Sequence, residues 1–453
     1  MFQNYNRSLY QIILVGLVCF CCPGMFNALQ GMGGGGQVDH TVVDRANAAL
    51  YACFSIFGFF SGGINNLLGP RLTLLIGTLG YVLYAGSLLC YNITSNGGFV
   101  VASGAILGVC AGMLWAAQGA MMMSYPDERN KGRYISIFWA IFNIGGVIGG
   151  IIPLIINLRQ TSAGSVSNET YIAFIVVMAL GGMLTLTLLP PHKVVRDDGS
   201  MVAVVKYPDW KAETIAILKL LTNWKLLVLI PMCFSSNFFY TYQFNAVNGF
   251  YFNVRTRSLN NVIYWGMQIL GAALFGMFLD SPRWSRRTRG YLGLAIVCLV
   301  LLPTWAGGVA FQVTYERNQP SPAVDWTDRR FGGAFVLYAL YGLNDALWQV
   351  FCYWVLGSLT SDSQMLSRFA GFYKSFQSAG AAIAWSIDGH GVNYLTQIII
   401  NFVLLVVSLP VALFVIASIT ESNGKDSELA MEKVDKLEHK KTAASEHTLS
   451  PPS

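Results

Sequence analysis

Of the 453 residues, 54% are hydrophobic and only 11% are charged, less than half the share in an ordinary soluble domain, which is about a quarter. A water-soluble globule is excluded. The formal charge of +6 is spread over short connections and forms no single basic patch, so nucleic acid is not an expected partner.

About twenty apolar residues cross the hydrocarbon core of a bilayer as a helix, and twelve such windows follow one another. They run Tyr10 to Leu29, Asn47 to Leu68, Leu72 to Tyr91, Phe99 to Met123, Tyr134 to Leu158 and Tyr171 to Leu189, then Trp224 to Phe250, Asn261 to Leu279, Tyr291 to Phe311, Gly332 to Ser358, Phe369 to Ile387 and Tyr394 to Ser418. This spacing predicts an all-α membrane protein of twelve transmembrane helices in two six-helix halves, residues 1–189 and 224–420. The first window has the apolar run of a signal peptide, but only Arg7 precedes it and no small-residue cleavage pattern follows; it reads as a retained span.

Residues 190–223 form the longest internal connection, a linker opening on Pro190, Pro191, His192 and Lys193. From Asp209 to Trp224 it turns helical in pattern, with Trp210, Ile217, Leu218, Leu221 and Trp224 on one side, as in a helix lying in the membrane interface. A plain tether is the competing reading, because Ile215 and Leu220 blur the stripe. The polar stretch 421–453 has the composition of a disordered tail.

An even number of spans puts both termini on one side. The connections on that side carry 21 Lys and Arg, against 7 on the other (Arg45, Arg159, Arg255, Arg257, Arg317, Arg329 and Arg330), so the positive-inside rule makes the termini cytosolic. The host membrane is the plasma membrane or an endomembrane. Two candidate N-glycosylation sites, Asn92 and Asn168, fall on the non-cytosolic side, each followed two residues on by Thr.

The end of the second window reads GGINNLLGPR from Gly62 to Arg71, and the end of the eighth reads GMFLDSPR from Gly276 to Arg283. Both resemble the major facilitator signature at these two connections, Gly-x-x-x-Asp followed by basic residues. In that pattern Gly allows close helix approach, and a carboxylate can pair with guanidinium groups in one state and release them in another. Asn66 takes the acidic position in the first copy, so of the candidate gating residues Asn66, Arg71, Asp280 and Arg283, a charged gate is expected at Asp280 alone.

Three longer segments carry a closer resemblance: CCPGMFNAL at 21–29 with GMGGGG at 31–36, YGLNDALWQ at 341–349, and AGFYKSFQSAGAA at 370–382. They resemble the fungal branch of the uncoordinated-type (unc-ninety-three-like) family, which is similar in fold to the major facilitators. The resemblance implies roles in potassium-channel regulation, receptor escort or ion homeostasis, with transport inferred from the fold; a fold alone does not establish an activity. It also implies that spans one, four, seven and ten surround a central pathway.

Polar residues inside the spans supply the site. Asp345 lies near the middle of the tenth span, where a carboxylate costs on the order of 2.5–3.5 kcal/mol on insertion scales, so it must face a cavity or a partner. Asn344, Trp348, Gln349 and Cys352 extend a polar face around it. Asp345 is the candidate proton-coupling or cation-binding group; a structural carboxylate shared between helices is the alternative. Lys374, in the eleventh span, is its candidate partner but lies roughly 10 Å away in depth at 1.5 Å of rise per residue. It can reach Gln349, approach Asp345 in one state, or snorkel toward the cytosol. Gln377 shares its helical face. Asn237, Tyr240, Gln243 and Asn245 of the seventh span, Asn27 and Gln30 of the first, and Trp115 and Gln118 of the fourth complete a candidate cavity for a small polar or amphipathic solute. Hydrogen bonding between helices also explains individual amides.

The Gly31–Gly36 run lacks the Lys and Ser/Thr of a phosphate loop and reads as a flexible external loop. The nine cysteines fall in spans without metal-ligand spacing, and Gly145, Gly146, Gly149 and Gly150 read as a close-packing stripe. No nucleophile is paired with a base, so neither an enzyme nor a cofactor is expected. The expected function is secondary transport of a small solute or ion by alternating access. The alternative is a non-transporting regulator or trafficking partner of another membrane protein.

Overall fold

The computed structural model describes residues 5–37, 40–58, 60–126, 131–159, 161–162, 164–197, 199–202, 215, 218–281, 283–360 and 363–419. Without water in the bilayer core the backbone must satisfy its own hydrogen bonds, and the chain does so with twelve helical spans in two six-helix halves. Spans 1 to 6 are Ser8–Gly31, Thr41–Leu68 (as Thr41–Phe57 and Ser61–Leu68), Pro70–Thr94, Gly97–Ser124, Lys131–Ile156 and Asn168–Thr187. Spans 7 to 12 are Trp224–Gly249, Val254–Leu279, Arg286–Gln312, Phe331–Gly357, Ser363–Gly389 and Tyr394–Ala417. Several starts are capped by side-chain oxygens: Asn96 accepts from the Phe99 N–H, Asn253 from Thr256 and Ser285 from Thr288.

Three spans depart from the expected plain helices. Span 2 begins at Thr41, six residues before the expected Asn47, because Asp44 and Arg45 lie in its first turns and hide its start from an apolar window. It breaks after Phe57 and resumes at Ser61, and Gly69, at φ 77°, turns the chain directly into Pro70. Span 1 widens into a π-helical turn over Phe20–Gly24, where Pro23 has no N–H to give the ladder. Span 7 is a series of short helical pieces ending in a π-helical stretch, Tyr242–Gly249.

Eight helices are long and apolar enough by length and composition to cross a membrane. The four spans outside that set are 2, 7, 10 and 11, which carry Asp44, Asn245, Asp345, Lys374 and Asp388. Spans 2 and 7 fall outside that set because they are broken into shorter helical pieces, spans 10 and 11 because polar residues lower their hydropathy.

Each half has its own core. Tyr84, Leu114, Phe138 and Phe174 belong to the first; Trp305, Trp348, Phe351 and Tyr264 belong to the second. The halves meet where span 2 runs along span 11 and span 5 along span 8. The glycine stripe of span 5 fits it against span 1 of its own half and span 8 of the other. A Cβ on Gly145 would stand 2.7 Å from the Phe20 carbonyl oxygen and one on Gly149 2.5 Å from Ala28, while Gly146 and Gly150 lie against Trp265 and Val262 of the other half.

Residues 5–8, the start of the linker and the end of span 12 share one face of the bundle, here the termini face; the other is the distal face. Ser8 N–H donates to the Val195 carbonyl, the Arg196 guanidinium to the Ser124 carbonyl and Lys225 Nζ to the Ser418 carbonyl. Half of the Asp209–Trp224 segment, including Trp210 and Ile217, and the chain from residue 420 onward, lie outside the described residues. On the distal face Arg255 grips Asp325 with two bonds of 2.6 and 2.7 Å and lies over the Trp326 ring, pinning the connection between spans 9 and 10. The guanidinium holds the Asp325 carboxyl well below the usual carboxylate range.

Span 4 fits span 2 through glycines. A Cβ on Gly108 would lie 2.2 Å from the Leu50 carbonyl oxygen, whereas one on Gly119 meets nothing within 4 Å. Gly108→Ala should therefore destabilise the protein by about 1–3 kcal/mol through overpacking. Gly119→Ala should leave stability unchanged or slightly raised. Thermal unfolding of the two purified variants in the same detergent checks both.

Candidate functional site

Asp345 is 1% exposed at mid-span 10 and is held by neutral donors from two spans. Gln349, one turn along the same helix, donates Nε2 to Oδ1 at 2.6 Å. From span 8, Gln268 donates to Oδ2, and the Tyr264 hydroxyl sits 3.0 Å from Oδ2 and 2.7 Å from Gln243 Oε1, with one proton to give. Among the described residues no Lys, Arg or His forms an ion pair with Asp345.

The cation is two amides away. Gln349 Oε1 accepts from Gln377 Nε2 at 3.3 Å, and Gln377 Oε1 accepts from Lys374 Nζ at 2.8 Å, so Asp345, Gln349, Gln377 and Lys374 form a continuous hydrogen-bonded chain from span 10 to span 11. Tyr240 accepts from Gln349 at 3.0 Å and Tyr373 from Gln377 at 3.0 Å. The ammonium of Lys374 lies 5.5 Å from the Trp115 ring centre, 5.6 Å from Tyr373 and 6.0 Å from Tyr353, within cation–π range of all three. Trp115 belongs to the other half and stacks on Trp139, so the cation sits between the halves. Of the two charges, Asp345 is enclosed and Lys374 is half-buried.

The remaining candidates separate into different surroundings. Gln118 is buried one turn from Trp115, Asn27 is half-buried in span 1, and Asn237 is half-buried with its Oδ1 unpartnered. Gln30 belongs to the core of the first half, where it exchanges two hydrogen bonds with Asn47 and meets the Tyr84 hydroxyl. Asn344 returns its Nδ2 to the Leu340 carbonyl of its own helix, and Trp348 donates to the Met232 carbonyl inside the second core. Neither is among the hydrogen-bond donors to the Asp345 carboxylate.

Asn245 stands in a second polar group on the distal face. Its Oδ1 accepts the Gly34 N–H at 2.7 Å, and its Nδ2 donates to Asp44 at 2.7 Å and Asp388 at 2.8 Å. Asn248 donates to the Gly31 carbonyl and Asn261 to the Ala28 carbonyl. The Gly31–Gly36 run is thus no flexible loop: it is buried, Gly33 to Gly36 take positive φ, and Gly33, Gly34 and Gly36 have no room for a side chain. A Cβ on Gly33 would lie 2.4 Å from the Phe244 carbonyl oxygen. Among the described residues, hydrogen bonds between the halves run from mid-depth, where Ser55 donates to the Ser375 carbonyl, to the distal face.

Of the gating candidates, Arg71 donates to the Leu186 carbonyl at the end of span 6. Asp280 caps span 8, exposed and without an ion pair among the described residues, and Arg283 lies over Trp284. The Asn66 side chain lies outside the described residues. Asn92 donates to Asn168 at 2.6 Å, which brings the two sequons together. Among the described residues no three His, Cys, Asp or Glu gather into a metal site.

Tyr264, Gln268, Asp44, Asp388, Arg317 and Gln397 are additions to the residues read from sequence. Tyr264 and Gln268 stand one turn apart on a span outside the expected lining set. Asp44 and Asp388 fall just beyond the apolar windows of spans 2 and 11 and so resemble connection residues.

The chain matches the family model described as "Ion channel regulatory protein UNC-93" over residues 36–416. It is 49% identical over 426 residues to UNC93-like protein 1 of Arabidopsis thaliana, covering 93% of each chain. With UNC93-like protein C922.05c of Schizosaccharomyces pombe it shares 48% identity over 413 residues, 90% of this chain and 82% of the relative. Among solved structures it is similar to a D-xylose-proton symporter, with a TM-score of 0.63 at 12% identity over 92% of this chain and 98% of that one. A structure of proton-dependent oligopeptide transporters aligns with a TM-score of 0.60 at 15% identity, over 90% and 98%. At such identities the structural likeness establishes the fold, that of the major facilitator transporters.

Gln349 is the central member of the relay, bonded to Asp345, Tyr240 and Gln377. Gln349→Leu keeps the volume but leaves three buried polar partners short, and should lower stability by about 1–3 kcal/mol. Gln349→Glu, which keeps the shape but places a second carboxylate beside Asp345, should be destabilising at neutral pH and recover as the medium is acidified. Melting temperatures of both variants across pH check the relay.

Proposed function

We propose that this chain, which belongs to the UNC-93 family and is a multi-pass membrane protein with a transporter fold, moves a small solute by alternating access with Asp345 as its proton-coupling group. The observation that carries the reading is the placement of the two charges: an enclosed carboxylate held only by neutral donors, linked through two glutamines to the ammonium of a half-buried lysine between the halves. An ionised Asp345 is balanced by Lys374 at a distance. A solute bearing an anionic group claims that ammonium, and the enclosed carboxylate, left without compensation, takes up a proton. The solute class favoured is therefore a small carboxylate or similar anion, carried with a proton. Its apolar part packs against Trp115, Tyr353 and Tyr373.

In this reading residues 1–189 and 224–420 are the rocking halves, both termini are cytosolic, and Gly146 and Gly150 of span 5 lie on the contact that slides over span 8. A second reading follows from the family's description as an ion channel regulatory protein: the chain acts on another membrane protein without moving a solute.

The test uses purified protein in proteoliposomes with an imposed proton gradient and three labelled probe sets: small monocarboxylates, neutral sugars and primary amines. The carboxylate set should be taken up with the gradient. Asp345→Asn should lose gradient-driven accumulation by at least about tenfold, the equivalent of one unit in a proton equilibrium, while retaining solute exchange. Lys374→Gln should weaken binding. Normal accumulation by a correctly folded Asp345→Asn protein would sink the role given to Asp345. Uptake confined to amines would reverse the solute class. No uptake of any probe, together with an unaltered effect of Asp345→Asn on a channel partner, would favour the regulator.

A further inference from the structure

The Asp345 relay leaves a second set of enclosed charges unused. Asp44, in the first turn of span 2, is 0% exposed, and Asp388, near the end of span 11, is 1% exposed. The two belong to opposite halves and share one donor, the Nδ2 of Asn245, whose orientation is fixed by the Gly34 N–H on its Oδ1. Asp388 is fully supplied: Arg317 Nη1 lies 2.5 Å and Gln397 Nε2 2.7 Å from Oδ1, and Asn245 serves Oδ2. Asp44 is not. Its Oδ1 has the Asn245 bond, and its Oδ2 is buried without any donor.

Two carboxylates and one guanidinium do not balance. The other charged or titratable groups around Asp44 do not close the gap by pairing with it. Arg45 points outward, His40 packs against Gly34 and Gly249, the Tyr84 hydroxyl engages Asn47 and Gln30, and Tyr394 lies under the Arg317 guanidinium at 5.0 Å. An ionised, enclosed carboxylate with one hydrogen bond costs several kcal/mol. A proton on the unpartnered oxygen removes that cost at once.

We propose that Asp44 is a second proton-binding site, outside the Asp345 cavity, whose proton locks the distal face of the bundle shut. With the proton in place the cluster is neutral overall: Arg317 balances Asp388, and the Asp44 acid shares Asn245 with it. Opening the distal face withdraws Asp44 from Asn245 and Asp388. The O–H bond of Asp44 then breaks, the proton passes to water, and the new carboxylate is hydrated while Asp388 stays paired with Arg317. Opening and release of one proton are the same event, whichever solute the cavity accepts.

One-proton linkage sets the size of the effect: the opening equilibrium rises by about tenfold for each pH unit while Asp44 is protonated in the closed form. The measurement is amide hydrogen exchange by mass spectrometry on the full-length protein in lipid nanodiscs, following residues 31–36 and 242–249 between about pH 5 and about pH 9, with intrinsic exchange rates divided out. The wild type and Asp345→Asn should show the tenfold slope, as should His40→Gln. Asp44→Asn should stay protected with no slope. A flat wild type, a slope retained in Asp44→Asn, or a slope lost in His40→Gln overturns the proposal. Should Asp44→Asn not fold, Asp44→Glu keeps the acid and must keep the slope; a folded Asp44→Glu without it counts equally against the site.

Discussion

A polar group at a seam between two membrane-embedded halves has neither lipid nor bulk water to hydrogen-bond, so its partner must come from the facing half or from a cavity. That constraint organises this molecule. Spans 2, 7, 10 and 11 carry the polar groups that meet at the seam and at mid-depth. On the distal side the partners are close and reciprocal: an asparagine between two aspartates, an asparagine on a glycine carbonyl, and a tract of glycines thin enough for the other half to lie against it. An ordinary side chain at Gly33 would meet the Phe244 carbonyl and Gly249 of the other half and force the halves apart before any of these bonds could form.

The same constraint is met differently at mid-depth. There the carboxylate and the ammonium are kept apart by two glutamines and an aromatic lining, an arrangement whose charges can be shifted by a proton or a solute without unfolding either half. The two sites are mechanically joined. Lys374 and Asp388 lie on one continuous helix, about 21 Å apart at 1.5 Å per residue, and span 7 carries Tyr240 and Gln243 toward the cavity and Asn245 and Asn248 toward the distal seam. The amides of Tyr242–Gly249 lie on more than one face, as residues two apart on a helix stand on nearly opposite sides. In the proposed cycle, spans 11 and 7 are the elements through which a change at the Asp345–Lys374 relay would bias the distal contact.

Hydropathy made the fold legible, because nearly every span is a long apolar run bounded by charge or by Gly and Pro. It misplaced the start of span 2 and the end of span 11 for one reason: Asp44 and Asp388 are buried by the opposite half, and a window along one chain cannot see that cover. The midpoint position of Asp345 was likewise readable, and Lys374 and Gln377 followed from helical spacing. Tyr264 and Gln268 were hidden because span 8 is otherwise apolar and lies outside the expected lining set. The glycine run at 31–36 read as flexible because composition reports freedom, whereas its burial depends on Phe244, Tyr171 and Val166, all distant in sequence. Trp348 read as lining for the converse reason: its helical neighbours are polar, and only packing reveals that it faces the second core.

The central claim is that the two halves exchange closure at the distal face for closure at the termini face. Dipolar spectroscopy on the protein in nanodiscs, with spin labels on noncanonical residues, tests it most directly. One pair at exposed Asn96 and Thr314 spans the distal face, and a second at exposed Leu72 and Ser285 spans the termini face. The account predicts two populations whose distances move in opposite senses, with the short distal distance gaining weight as pH falls. A single unchanging distance at both faces across pH and probe solutes would contradict it.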